Sequence, residues 1–165
     1  MKKVVAFTMA IIILISLVAC GNDDTKAGEN DQPKNQEQTV KENQEDGAME
    51  IAAEAIKMIL DKNFGESGID YSMAYEGSAL AISVKADGVA AEVSNAIAMG
   101  YDDTYEPWAN MRENMVSLCS SIYDALDSFG VKDGSVVVSV LNDTNTDNVL
   151  LSVLNGIVIY DAMAK

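Results

Sequence analysis

Histidine is absent from the 165 residues, cysteine and proline each occur twice, and 11 basic side chains stand against 26 acidic ones. Each shortage removes a class of chemistry. Without imidazole there is no Ser-His-Asp or Cys-His nucleophile system and no histidine-held zinc or haem. A formal charge of −15 repels nucleic-acid phosphates, so nucleic acid is not an expected partner. Gly-x-Ser-x-Gly, Ser-x-x-Lys and a Gly-rich loop running into Lys-Ser or Lys-Thr are missing as well. Serine-nucleophile and phosphate-cradle enzymes therefore find no support.

What is present begins with an address. Met1-Lys2-Lys3 is positive, and Val4 to Ala19 is apolar apart from Thr8 and Ser16. That run is shorter than the roughly 20 residues a spanning helix needs. It ends at Leu17-Val18-Ala19-Cys20 and turns polar at once, the pattern of a secretory signal peptide over residues 1–19. The tetrad Leu17-Val18-Ala19-Cys20 resembles the lipobox of bacterial lipoproteins. The resemblance implies cleavage before Cys20, a diacylglycerol thioether on its sulfur, with N-acylation (palmitate or a similar chain) as a further step. It places the chain on the extracytoplasmic face of a cell membrane. Two or more acyl chains hold firmly where one gives only reversible binding. No other cofactor is expected. The mature chain would carry 9 basic and 26 acidic residues, and Cys119 as its single free thiol, so no internal disulfide can form.

Residues 20–48 follow as the lipidated cysteine and a polar tether, GNDDTKAGENDQPKNQEQTVKENQEDGA after Cys20, in which Val40 is the one large apolar residue. Such a composition predicts disorder and a root-mean-square span of roughly 30 Å. Residues 49–165 form a single domain with 18 acidic and 6 basic residues, a charge of −12.

Inside that domain the apolar periods alternate. Ala52, Ala55, Ile56, Ile59 and Leu60 recur at helical spacing over Met49–Asn63, and Gly65 is the expected left-handed stop. Tyr71, Met73 and Tyr75, then Leu80, Ile82 and Val84, alternate as two strands around a Gly77 turn. Asp87 is placed to cap a short helix with Val89, Val93, Ala96 and Ile97 inward. Trp108, Met111, Met115, Leu118, Ile122, Ala125 and Phe129 mark a long helix, with Thr104 as N-cap and Gly130 as stop. Residues 135–141, 148–154 and 157–160 read as three strands, the last two joined by Asn155-Gly156. The order α-β-β-α-α-β-β-β predicts an α+β fold: an antiparallel sheet, helices on one face, a C-terminal three-stranded meander. One sheet or two small ones both fit. The long helix, Asp133-Gly134 and the meander with Asn155-Gly156 make the domain similar to the small uncharacterised α+β domains at the C-termini of Gram-positive lipoproteins.

Two segments carry candidate chemistry. Tyr101, Asp102, Asp103, Tyr105, Glu106 and Trp108 gather three aromatics and three carboxylates within eight residues. The rings could stack on a sugar or hold a cation; alternatively Trp108 opens the buried helix stripe and the acids favour its N-terminus. Asp143, Asn145 and Asp147 alternate like the opening of a calcium loop, but Asn148 stands where glycine is needed and Leu154 where the closing glutamate belongs. The preferred reading is a turn-rich hairpin loop with no metal. Cys119, with neither a base nor a close cation, reads as inert core. The expected function is a non-catalytic binding or interaction domain at the cell surface, its partner an envelope protein, peptide or glycan. The competing reading is a hydrolase of cell-wall or dietary glycans using carboxylates alone.

Overall fold

The computed structural model describes residues 37–65 and 67–165. The expected signal peptide, the Leu17–Cys20 tetrad and the first part of the expected tether lie outside the described residues. Helix α1 spans Glu37–Phe64, so it starts twelve residues before Met49, and residues 37–48, expected as tether, are helical. The reason lies in the residue types. Glu, Gln and Lys are good helix formers, and extending an existing helix avoids the cost of a new nucleus. Met49, Ala52, Ala53, Ile56, Leu60 and Phe64 are buried along its inner face. Gly65 is not left-handed; the positive φ falls on Gly68. Gly65 is instead needed for space, because a Cβ there would lie 2.5 Å from the Asp61 carbonyl oxygen.

Strands β1 (Ile69–Glu76) and β2 (Ala79–Ala86) form the first hairpin. Helices α2 (Val89–Ala98) and α3 (Glu106–Ser128) follow, then β3 (Ser135–Leu141), β4 (Val149–Leu154) and β5 (Ile157–Asp161). The element order is the expected one, and the strands form one five-stranded sheet ordered β1-β2-β3-β4-β5. The sheet is mixed rather than wholly antiparallel, since β2 and β3 run parallel. A parallel neighbour requires a long crossover, and residues 87–134, with their two helices, provide it. Asn155 and Gly156 both have positive φ, 48° and 81°, the turn an Asn-Gly hairpin calls for.

One face of the sheet is the core. Leu80, Ile82 and Val84 of β2, Val136, Val138 and Val140 of β3, and Leu151 and Val153 of β4 are buried there. They pack under α1 and α3, which also touch each other. From α3 come Trp108, Met115, Leu118, Cys119, Ile122 and Leu126; Met111 and Phe129 pack partly against them. Full burial of side chains of this size contributes about 1.5–3 kcal/mol each. Both α2 and α3 end alike. The Tyr101 and Val131 amides reach back to the Ala96 and Leu126 carbonyls around left-handed Gly100 and Gly130, closing the last turns. Ile97, expected inward, is exposed.

Candidate functional site

The segment 101–108 is drawn together, but with itself and with the C-terminus. The Asp102 carboxylate accepts from the Thr104 amide at 3.1 Å and its hydroxyl at 2.6 Å, and Lys165 lies 3.4 Å from its other oxygen. Thr104 is therefore tied into this turn, and the N-cap of α3 is Tyr105, which makes no side-chain cap bond. Asp103 takes the Arg112 guanidinium at 2.9 Å. The same nitrogen donates to Asp161 at 3.1 Å. Asp161, its side chain only 4% exposed, also accepts the Trp108 indole N–H and the Met163 amide, each at 2.8 Å. Asp103 first, then Asp161, raises the Arg112 pKa above its ordinary value.

Trp108 is buried, so its ring is not free to stack on a sugar. Tyr101 and Tyr105 stack on each other, centroids 5.0 Å apart, and Glu106 stands exposed in the first turn of α3. Of the six candidates, Trp108, Asp103 (through Arg112) and Asp102 latch the C-terminal residues Asp161 and Lys165 to α3 and the turn before it, while Tyr101, Tyr105 and Glu106 make no such contact. Sequence reasoning missed Asp161 and underrated Arg112. The available signal was an acid at the end of an otherwise apolar strand and the one cation of a long helix.

The acidic loop 142–148 is likewise structural. Asn142 Oδ1 accepts from the Thr144 amide and hydroxyl and the Asn145 amide, and Asn145 Oδ1 from the Asp147 amide. Asp143 reaches across to α2, taking the Gly88 and Ala90 amides at 2.8 Å each. It caps the helix that Asp87 was expected to cap; the N-cap position itself is Gly88. Among the described residues no three His, Cys, Asp or Glu side chains are placed to hold a metal ion.

Three carboxyls are held below their ordinary values by hydrogen bonds. Asp61 is lowered by the Tyr71 hydroxyl, Asp102 by Thr104, and Asp143 by the Ala90 and Gly88 amides. A depression of about 570 Å³ holds Asp124, Asp127 and Asp133, all exposed. Cys119 is buried between the Val136 and Val153 carbonyls, and burial pushes its thiol up, away from a thiolate nucleophile.

The second face of the sheet is a different kind of surface. Among the described residues no helix packs on it, and the register sets its side chains in straight rows. Ser72, Ser83, Ser139 and Ser152 lie opposite one another across four strands, with Tyr160 next on β5. Five hydroxyls thus cross the whole sheet, and Ser139 and Ser152 hydrogen-bond at 2.8 Å. Beside them runs Ala74, Ala81, Val137, Leu154 and Ile157. These ten positions carry no charge. Asp70, Glu76 and Lys85 stand at the margin formed by β1 and β2.

No helix among the described residues is long and apolar enough to cross a membrane. No family model, curated protein or solved structure matches the chain.

Proposed function

We propose that the chain is a membrane-anchored, extracytoplasmic lipoprotein whose folded domain is a non-catalytic interaction module. On this reading Cys20 carries the diacylglycerol anchor. The domain, of the small C-terminal α+β kind found in Gram-positive lipoproteins, offers its open sheet face to an envelope protein, peptide or glycan. The observation that carries the reading is the pair of uncharged rows on that face. In a domain with 18 acidic and 6 basic residues, a neutral surface on which none of the described helices packs is the place where another molecule can approach without meeting the acidic field. Small alanines and serines on β1 and β2 let a partner come close, and the hydroxyl row supplies donors and acceptors for orientation. The latch around Asp161 and the cap at Asp143 support the same reading, since both use the acidic candidates to hold the fold.

The test is photocrosslinking in intact cells with a benzophenone amino acid at Val137, in the middle of the face, or at Met58, exposed on α1. Adducts are expected from Val137 and not from Met58. Equal adducts at both positions, or none at Val137, contradict the reading; so does mass spectrometry that finds no diacylglycerol on Cys20 of the chain purified from cells.

A further inference from the structure

The two edges of the sheet are built differently. β1 carries Asp70 and Glu76, and Lys85 sits 3.2 Å from Asp70; charges of this kind make a free edge a poor template for another strand. β5 has no such guard. Ile157, Val158, Ile159 and Tyr160 are 69%, 37%, 58% and 50% exposed, and the strand's one acid, Asp161, is turned onto Trp108 and Arg112. In a two-residue hairpin the pair Leu154–Ile157 exchanges both backbone bonds and the next pair, Val153–Val158, does not. The Val158 N–H and C=O therefore point away from β4, at the open edge. A bulge leaves Ile159 without an opposite residue, and so places Ile157 and Tyr160 on the same open face.

We propose that β5 pairs with β5 of a second copy of this chain, antiparallel about a two-fold axis, to give one continuous ten-stranded sheet. Three observations select this occupant. First, the strand is self-complementary: about a two-fold through Val158, its outward N–H and C=O meet the C=O and N–H of Val158 in the second copy, and Ile157 of each copy comes opposite Ile159 of the other. Second, β5 turns no carboxylate outward, so a basic peptide gains nothing along it, whereas two copies of a −12 domain can meet here with little direct repulsion. Third, complete cover of the exposed side chains of β5 and of Leu154 would remove at most on the order of 1,000 Å² over both copies, the low end of specific interfaces. The pairing is accordingly weak and depends on concentration, as suits copies confined to one membrane. The inference rests on the reading of the sheet as an interaction surface and names one partner for its edge.

The experiment is sedimentation velocity of the full-length chain in density-matched detergent, over a range of protein and NaCl concentrations. A monomer–dimer equilibrium is expected, tightened by salt because the two acidic domains are screened from each other. Ile159→Lys should weaken association roughly tenfold or more, whereas Tyr75→Lys on the opposite edge should leave it unchanged. Should Ile159→Lys alter the circular-dichroism melt, Ile157→Lys takes its place. A monomer under all conditions, a dimer indifferent to lysine on β5, or association that needs a basic peptide and falls with salt would each overturn the pairing. A monomer that still crosslinks through Val137 overturns the pairing alone; a monomer that crosslinks nowhere overturns the interaction reading with it.

Discussion

Asp161 is a residue whose role its own neighbourhood in sequence does not announce. It closes the apolar stretch Ile157–Tyr160, and its partners Trp108, Arg112 and Met163 come from α3 and the C-terminus. Read as a sequence, Trp108 and the acids around it suggest a ligand platform; the acceptor that occupies the indole is Asp161, 53 residues further along the chain, and Asp102 and Asp103 are taken by Thr104 and Arg112. Removing the carboxylate leaves the indole N–H without its acceptor and Arg112 with Asp103 alone. Asp161→Ala should therefore cost about 2–3 kcal/mol of stability, measured by urea unfolding followed through Trp108 fluorescence. A loss within error of zero would show that the latch is not structural. Local signals were more legible. The Asn155-Gly156 turn follows from two positive φ values that only such residues adopt cheaply. A Cβ on Gly156 would also lie 2.1 Å from Ser120 Oγ, so that hydroxyl would have to turn aside.

At the scale of elements, periodicity located every helix and strand, because the buried positions of α3 and of β2–β4 keep to one face. Ends and pairings were less legible. Helix α1 begins early because polar helix formers look like linker by composition. The parallel β2–β3 junction depends on how α2 and α3 carry the chain back, which no local window contains. The cap of α2 is a third case, contributed by Asp143 from the β3–β4 loop. Its carboxyl is held below the ordinary value by the Ala90 and then the Gly88 amide. A carboxyl lowered by folding stabilises above its unfolded pKa, and that contribution fades as pH falls through the folded value. Asp143→Ala should lower the melting temperature at pH 7. The gap from wild type should narrow once the pH drops below about 4. A gap that is the same at pH 7 and pH 2.5 would mean that the charge on Asp143 plays no part.

The whole molecule separates its surfaces by charge. Acids crowd the helices and loops, and the two central rows of the open sheet carry none. The serine row was not legible beforehand, because Ser72, Ser83, Ser139 and Ser152 become neighbours only through register. Hydroxyl-radical footprinting tests the account most directly, comparing the chain in intact cells with the same chain purified and dilute. Val137 and Leu154 on the open face should be protected in the cells and labelled after purification, while Met58 and Met99, both 68% exposed, are labelled alike in the two samples. Equal labelling of Val137 and Leu154 in both would contradict it, for the face would then be as bare in the cell as it is in isolation.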